Sequence, residues 1–336
     1  MNVSFRIDFA GPFVSVQDRG RPGFMRYGVT ESGPMDRTAF GILRRALEGP
    51  ETFRALEISP GGVVLSCCSG QLTAGVVGGD FDIRIDGARQ PAWSVFALSA
   101  GQKLSIRPGP SGSWCYLGFA GQIEGPEWLG SGSVHLASGL CGRALTAGDV
   151  LNVARARPRP DLHAAFPIPD FAVLDGTVRV VIGPQQNHFA PEALRALTTE
   201  PFQVTPEYDR MGMRLKGVPL VPCDALSIPS EALVRGSVQV PGHGDPLILL
   251  ADHQTTGGYP KVATVITADI DRVAQARPED RIRFRAVSPG DAVLATRAAH
   301  RAAERFMDDL SGWRGSLAER LSRTNLISGA VTGGAD

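Results

Sequence analysis

The sequence is poor in the residues that hold small secreted proteins together. It has five cysteines, an odd number, and no two of them form a CxxC pair; they are Cys67, Cys68, Cys115, Cys141 and Cys223. This pattern argues against a disulfide framework and against a zinc site. It fits a reducing compartment.

The sequence has neither an excess of charge of one sign nor a long apolar run. Lys and Arg together number 34, as do Asp and Glu, so the formal net charge is zero and no electrostatic footprint for nucleic acid is present. No apolar stretch reaches the roughly 18 to 20 residues that a membrane span needs. The first residues lack the basic segment and apolar run of a signal peptide. We therefore expect a cytoplasmic protein with no nucleic-acid or membrane partner.

The motifs of several common enzyme classes are also lacking. HExxH, GxSxG and the phosphate loop GxxxxGK[ST] do not occur, and His135, His188 and His243 show no ligand spacing. Metalloprotease, serine hydrolase and stand-alone ATPase are thus unsupported, and we expect no metal ligands in the chain. Any use of ATP then needs an unfamiliar site or one completed by a partner.

What the sequence does contain is short strands and turns. Phe81, Ile83 and Ile85 alternate with polar residues, the period of a half-buried strand. Forty glycines and 25 prolines supply the turns between such segments. Further strands are predicted at 63–65, 93–98, 100–106, 114–119, 147–153, 178–182, 247–250 and 278–284. The pattern predicts a mainly β protein of barrels or sandwiches, with related β-domains in the two halves.

A few short helices complete the expected architecture. Apolar periodicity with flanking Pro and Gly predicts helices at 35–47, 191–197 and 269–276. The late residues Phe306, Leu310, Trp313, Leu317 and Leu321 are spaced as on an amphipathic helix.

The domain boundaries are predicted from the same patterns. Residues 155–170 carry four prolines and are expected to form a linker. This gives a first domain at 1–160, a second at 161–290, and a helical extension at 291–336 whose end is disordered.

The first segment with candidate chemistry is 15–40. Glycines and prolines there surround Gln17, Asp18, Arg21, Gly33 and Asp36. Such a segment is expected to be a surface loop of fixed geometry, in which backbone N–H groups and arginine side chains hold an anionic or amide ligand. A structural loop with mutually paired Asp and Arg residues is an equally weighted alternative.

Two later segments are also rich in polar groups. Taken alone, Arg210 in the segment 206–217 is more typical of a surface ion pair. Between two apolar strands, Asp252 suits a base or an orienting group and Lys261 suits an anion. The residues between them can grip amide or carboxylate groups or let backbone approach a ligand; they are Gln254, Thr255, Thr256, Gly257, Gly258 and Tyr259. A long hairpin turn is the alternative for this loop.

Together these segments closely resemble the allophanate hydrolase subunit 2 family, also called the biotin-dependent carboxyltransferase A/B subdomain family. The resemblance covers about residues 5–290. The matching stretches are VQDRGRPG (16–23), SGPMD (32–36), ALEI with a following GG (55–62), GPQ with a later Phe (183–189), VTPEYDRMGMRLKG (204–217) and QVPGHGDPLILLADHQTTGGYPKVATVITAD (239–269).

The resemblance implies two tandem cyclophilin-like β-barrel domains and a partner protein. The partner belongs to the allophanate hydrolase subunit 1 family and is similar to the B component of 5-oxoprolinase. In free-standing bacterial members this pair and a third protein of a different fold, the A component, form an ATP-dependent 5-oxoprolinase. In urea carboxylase the related pair is fused to biotin-bearing domains.

No AMKM or MKM biotin-carrier segment is present. We therefore expect a 5-oxoprolinase subunit that opens 5-oxoproline to glutamate, needs ATP with Mg at the level of the complex, carries no biotin and is inactive alone. The alternatives are a urea or small-amide carboxyltransferase or allophanate-hydrolase-type subunit, and a non-catalytic regulator of a kinase-inhibitor partner.

On this interpretation the catalytic candidates are Asp252, Lys261 and Arg210. Arg210 and Lys261, with Arg21, would stabilise the charge of a phosphorylated amide, while Asp252 would orient a nucleophile. The substrate-binding candidates are Gln17, Asp18, Arg21, Gly33, Asp36, Gln254, Thr255, Thr256, Gly257, Gly258 and Tyr259.

The chain also departs from the family pattern. His253 stands where the family has arginine, Met213 replaces an aromatic residue, and an arginine is missing from residues 129–139. These changes bear on the identity of the substrate more than on the fold.

Overall fold

The computed structural model describes residues 1–223 and 228–315 and shows a mainly β protein, as expected. The first half contains β1 Val3–Ala10, β2 Ser15–Gln17, β3 Ala55–Ile58, β4 Val63–Cys67, β5 Gln71–Val77, β6 Asp80–Ile85, β7 Ala88–Gln90, β8 Ser94–Ser99, β9 Lys103–Ser111, β10 Cys115–Phe119, β11 Gln122–Ile123, β12 Val150–Ala154 and β13 Ala164–Ala165. The second half contains β14 Thr177–Ile182, β15 Pro201–Tyr208, β16 Gly212–Lys216, β17 Glu231–Ala232, β18 Ser237–Gln239, β19 Leu247–Leu249, β20 Thr256–Gly257, β21 Lys261–Val265 and β22 Arg281–Ala286.

The helices are α1 Arg37–Ala46, α2 Pro191–Thr199, α3 Thr267–Ala274 and α4 Pro289–Asp308. Short 3-10 turns lie at Met25–Tyr27, Pro160–Leu162, Asp170–Ala172, Gln186–His188 and Asp309–Trp313. Within the described residues no helix is long and apolar enough to cross a membrane.

Two antiparallel sheets form the first half. Their strand orders are β11-β12-β1-β4-β9-β6-β7 and β13-β8-β5-β10-β3-β2. The alternation that predicted β6 places Phe81 and Ile83 in the interior while Arg84 stays exposed. Side chains from both sheets, such as Phe5 and Leu117, share one apolar cluster. The sheets therefore pack face to face around a common core.

A closed barrel forms the second half, in the order β14-β21-β18-β19-β16-β15-β22. It closes where β22 pairs with β15 in antiparallel fashion and with β14 in parallel fashion, with Val178 opposite Phe284. Alternate residues of the strands fill the interior; Val204, Met213 and Ile248 are fully buried there. Met213, which replaces an aromatic residue of the family pattern, is thus a core residue.

Helix α1 packs its apolar face on the first half. Asp36 caps it by accepting from the Ala39 N–H at 2.8 Å, and Phe40 and Leu43 are buried. The residues before Arg37 are not helical, so the helix is shorter than the predicted 35–47. Trp114 and Gln275 then join the halves, because Gln275 Oε1 accepts from the backbone N–H of Trp114 at 3.0 Å.

The C-terminal helix begins at Pro289, close to the predicted start of the helical extension at residue 291, and ends at Asp308. α4 starts after Ser288, whose hydroxyl accepts from the Asp291 N–H at 3.1 Å, and the predicted positions Leu317 and Leu321 lie outside the described residues. Leu310 and Trp313, two of the predicted apolar positions, follow this helix in the 3-10 segment Asp309–Trp313. Phe306 packs against Trp93 and Phe171, which ties this helix to the first half.

The segment 155–170, predicted as a linker, runs along the first half. β13 adds to the edge of the six-stranded sheet beside β8, and Leu162 and Phe166 are buried in the cluster under α1. The boundaries of the two domains stay predictions.

Candidate active site and its buried ion network

A buried arginine lies where the two halves meet. Arg210 sits in the tight turn between β15 and β16 and is 2% exposed. Its Nε and Nη2 donate to the two oxygens of Asp252 at 2.8 and 2.9 Å, and its Nη1 donates to Glu57. Nη2 also donates to the Gly33 carbonyl at 2.8 Å. The ion pair at Arg210 is therefore a buried, bidentate one, not the surface pair that the segment alone suggested.

Glu57 is the third member of this network and was not singled out from the sequence. It lies on β3, where every residue is buried, and its Oε2 accepts from the Met35 N–H at 2.7 Å and from the Tyr116 hydroxyl at 2.8 Å. A carboxylate inside a fully buried strand requires a cation, and that requirement was the available signal.

Burial and charge act in opposite directions on this cluster. Burial alone lowers the pKa of Arg210, but Asp252 and Glu57 outweigh it and hold the pKa above its ordinary value. Burial, followed by the charge of Glu57, raises the pKa of the Tyr116 hydroxyl well above its usual range. Arg210 therefore stays charged and Tyr116 stays a neutral donor.

Gly33 and Asp36 connect the loop 15–40 to this network. Gly33 has a φ of +79°, and a Cβ there would lie 3.1 Å from the backbone of Arg19 and Gly20. Asp36 accepts from Gln275 Nε2 at 2.8 Å on one oxygen and from α1 on the other. Burial, then the charge of Asp271, raises the pKa of Asp36 to about 7.

Gln17, Asp18 and Arg21 gather around a different stretch of chain, residues 131–141. Asp18 accepts from the hydroxyls of Ser131 and Ser133, both at 2.6 Å, and from the backbone N–H groups of Gly132 and Gly20. Neutral donors therefore form hydrogen bonds with both oxygens of its carboxylate. The predicted mutual pairing of Asp and Arg in this loop does not describe Asp18.

Lys261 forms a second polar cluster at the start of β21. Its Nζ donates to Glu231 Oε2 at 3.1 Å and to the Ala232 carbonyl at 3.2 Å, and its backbone N–H donates to Gln185 Oε1 at 2.8 Å. The lysine side chain is 8% exposed, whereas Glu231 is 51% exposed. The pair thus lies at the rim of the barrel, where solvent reaches the carboxylate.

The predicted loop between Asp252 and Lys261 is partly a small sheet. β20, which holds Thr256 and Gly257, pairs with β17, which holds Glu231. The Thr255 carbonyl accepts from Leu233 N–H at 3.0 Å, the Gly258 carbonyl from Ile228 N–H at 2.7 Å, and Gln254 Nε2 lies 3.5 Å from Gln239 Oε1. The side chain of Tyr259 is 45% exposed.

His253, the other departure from the family pattern, is buried beside Asp252. Its Nδ1 lies 2.6 Å from the Gln254 carbonyl. Burial lowers the pKa of His253, which favours a neutral ring.

The structure therefore distributes the predicted residues over three clusters. Arg210, Asp252, Gly33 and Asp36 meet with Glu57 between the halves, Gln17, Asp18 and Arg21 meet at residues 131–141, and Lys261 lies with the 254–259 loop. No direct contact joins Arg21, Arg210 and Lys261 among the described residues. The same part of the chain contains no group of three or more His, Cys, Asp or Glu that could hold a metal ion.

The fold of two packed sheets and a closed barrel is that of a carboxyltransferase-type domain. A family model described as carboxyltransferase domain, subdomain A and B, matches residues 27–286. The chain belongs to this family.

Several proteins are similar to it over most of the chain. The C subunit of the 5-oxoprolinase of Haemophilus influenzae is 33% identical over 84% of this chain and 91% of its own length. The C subunit of the 5-oxoprolinase of Escherichia coli is 31% identical over 91% of this chain and 96% of its own. The urea amidolyase of Saccharomyces cerevisiae is 29% identical over 84% of this chain but only 16% of its own.

Solved structures agree with this fold. The crystal structure of TTHA0988 superposes with a TM-score of 0.75 and 35% identity over 84% of this chain. The present chain spans 55% of that longer protein.

Proposed function

We propose that this chain is a subunit of an ATP-dependent 5-oxoprolinase, which opens the lactam ring of 5-oxoproline to give glutamate. The observation that carries the proposal is that nearly the whole of two 5-oxoprolinase C subunits aligns with this chain. The chain covers 91% and 96% of two 5-oxoprolinase C subunits, but only 16% of a urea amidolyase. Its likeness to urea amidolyase thus concerns one part of a much larger enzyme.

Lys261 is the cation best placed to meet a substrate. Opening a lactam develops negative charge on the amide oxygen, and a fixed ammonium stabilises that charge. Lys261 is held in place by Glu231 and by the Ala232 carbonyl, and its partner Glu231 is open to solvent. In the proposal a substrate enters beside Glu231 and accepts from Lys261 Nζ.

Arg210 and Asp252 act as positioning residues in this proposal. Both are 2% exposed, and the four hydrogen bonds of Arg210 leave neither group free to reach a ligand. Asp252 is the first polar residue of the loop that leads to Lys261. Fixing its carboxylate between the halves fixes the start of that loop.

ATP would supply the free energy for lactam opening. The described residues do not fit a complete Mg-nucleotide site, since they offer no cluster of metal ligands and the sequence has no phosphate loop. We therefore assign the nucleotide to a complex with a partner of the allophanate hydrolase subunit 1 family, in which a protein similar to the A component of 5-oxoprolinase is the third member.

The test is to co-express the chain with its genomic neighbours and to measure ATP-dependent glutamate formation from 5-oxoproline. Lys261→Met should lower turnover by about 100-fold, the range for removing one donor that stabilises developing charge. Lys216→Met, at an exposed lysine on β16, is the matched control and should turn over normally. Normal turnover by Lys261→Met refutes the role of the lysine, and absence of activity in the wild-type complex refutes the function.

The second candidate is a urea or small-amide carboxyltransferase, favoured by the similarity to urea amidolyase. It requires a biotin carrier encoded elsewhere. Inhibition of the co-purified complex by avidin, together with bicarbonate dependence, would support this candidate. Turnover of 5-oxoproline that is insensitive to avidin would exclude it.

A further inference from the structure

Arg21 is a buried cation without a carboxylate partner. It is 1% exposed, its Nη1 donates to the Ser32 hydroxyl at 3.2 Å, and its Nη2 donates to the Ser133 carbonyl and lies 3.6 Å from Cys141 Sγ. Its Nε has no partner among the described residues. Every hydrogen-bond partner of this guanidinium among the described residues is therefore neutral.

The other buried arginines of the described chain are neutralised. Arg210 pairs with two carboxylates, and Arg54 pairs with Glu127 at 3.0 Å. Removing a guanidinium from water without a counter-charge is costly, and a nearby anion is the usual compensation. Arg21 departs from this rule, which points to an anion that the described residues do not supply.

Asp18 does not take that role. Four neutral donors occupy its oxygens, among them the Ser133 hydroxyl, while Arg21 binds the carbonyl of the same Ser133. The serine separates the two charges. No hydrogen bond or ion pair thus joins Asp18 to Arg21.

Two further unpartnered polar atoms lie on the same stretch of chain. Gln17 is fully buried, and its Nε2 donates to the Val134 carbonyl at 3.0 Å, yet its Oε1 accepts nothing within the described residues. His135 is 9% exposed, and its Nε2 is likewise without a partner there. Three of the five buried side-chain atoms that lack a partner in the described chain thus belong to Arg21, Gln17 and His135; the other two are His188 Nδ1 and Arg235 Nε.

Cys141 is more exposed to solvent than Arg21 and Gln17. Cys141 is only partly buried, and its neighbours at 139, 142 and 143 are exposed or partly exposed. A thiol is a weak acceptor, whereas a carboxylate forms a charge-assisted hydrogen bond with arginine. An incoming carboxylate would therefore displace the thiol from Arg21.

We propose that Arg21 binds the carboxylate of a small ligand at the position beside Cys141, in a site separate from the Lys261 cluster. The identity of the ligand rests on the proposed function, because both 5-oxoproline and its product glutamate carry a carboxylate. The carboxylate subsite itself rests only on the contacts of Arg21 and Cys141.

Alkylation of Cys141 tests the subsite directly in the full chain. Iodoacetate and iodoacetamide both transfer a CH₂ group to the thiolate with loss of iodide, but only iodoacetate carries a carboxylate. Measured by peptide mass spectrometry, the ratio of the iodoacetate rate to the iodoacetamide rate should be at least about tenfold higher at Cys141 than at the exposed Cys68 and Cys223, since a local cation concentrates the anionic reagent.

Arg21→Gln should remove this preference. Arg19→Gln, at an exposed arginine two positions away, is the matched control and should keep it. Arg21→Lys retains the charge and serves as the second variant if Arg21→Gln fails to fold. Equal ratios at Cys141, Cys68 and Cys223 in the wild-type chain would overturn the proposal.

Protection experiments then name the ligand. 5-Oxoproline should slow the reaction of Cys141 with iodoacetamide, whereas 2-pyrrolidinone, the same lactam without a carboxylate, should not. Equal protection by both compounds contradicts the assignment of the carboxylate to Arg21. Turnover of 5-oxoproline without any iodoacetate preference at Cys141 leaves the proposed function intact and refutes the subsite. A preference lost in Arg21→Gln, with no turnover by the wild-type complex, leaves the subsite intact and refutes the function.

Discussion

Replacement of Arg210 by methionine tests the buried ion network. Methionine matches much of the length of the arginine side chain but removes the charge that lies between Glu57 and Asp252. Both carboxylates would then be buried with no cation, because each is no more than 2% exposed. The protein should be destabilised mainly by these uncompensated charges rather than by lost volume.

The magnitude follows from the cost of breaking a buried pair. Removing one partner of such a pair costs about 3–5 kcal/mol, and Arg210 serves two carboxylates. Glu57 keeps its hydrogen bonds from Met35 and Tyr116, which limits the loss at that carboxylate. We expect a loss of about 4 kcal/mol in the free energy of unfolding, a large share of the roughly 5–15 kcal/mol typical of domains.

Urea unfolding of the purified chain is the assay. Arg195→Met is the matched control, because Arg195 pairs with Glu192 on α2 with both side chains 72% exposed, and it should cost at most about 0.5 kcal/mol. Combining Arg210→Met with Glu57→Gln and Asp252→Asn should restore part of the lost stability, since it removes the unpaired charges. A cost for Arg210→Met no greater than that of Arg195→Met would refute the reasoning, and so would a failure of the triple variant to recover.

Three further predictions concern other parts of the fold. The pKa of Asp36 is raised to about 7 in the folded protein, so the folded state binds a proton at Asp36 that the unfolded state releases at lower pH. Protonation of Asp36 therefore stabilises the folded state fully below about pH 4, and this stabilisation is lost as the pH rises through 7. In Asp36→Asn the urea midpoint should fall less between pH 5 and 8 than it does in the wild type. An equal fall in both proteins would contradict the raised pKa of Asp36. Gly33→Ala should lower the free energy of unfolding by about 1–3 kcal/mol, because Gly33 has a φ of +79° and a Cβ there would lie 3.1 Å from backbone atoms. Gly28 has a similar φ of +80°, but a Cβ there meets nothing within 4 Å. Gly28→Ala therefore measures the backbone strain without the close contact. Phe306→Ala should lower the free energy of unfolding by about 2 kcal/mol, because the ring contacts with Trp93 and Phe171 are lost. A melting temperature equal to that of the wild type would show that these contacts do not hold α4 on the first half.

Local pattern was sufficient for some of the strands and for the helices. Period-two alternation at Phe81, Ile83 and Ile85 places a strand because successive side chains point to opposite faces of a sheet. The stretch that follows Pro34 forms a helix because Asp36 caps it and Phe40 and Leu43 lie on one face. The apolar spacing at Leu310 and Trp313 was misleading, because α4 ends at Asp308 and these two residues lie in a 3-10 segment.

In the candidate site, too, part could be predicted from the sequence and part could not. Residue types and spacing were sufficient to mark Arg21 and Lys261 as candidates, whereas Arg210 became a candidate only through the resemblance to the family. Their partners could not be predicted. Glu57 lies 153 residues from Arg210 along the chain, and only the packing of one half on the other brings the two together.

The sequence by itself thus determined a mainly β chain, its family and the loops that carry charge, because these depend on neighbouring residues and on short motifs. The tertiary structure decided which charges are matched. It buries Arg210 between two carboxylates, opens the Lys261 pair to solvent through Glu231, and leaves Arg21 beside a thiol. Burial sets the strength of an interaction between charges, and burial depends on contacts between residues far apart in the chain.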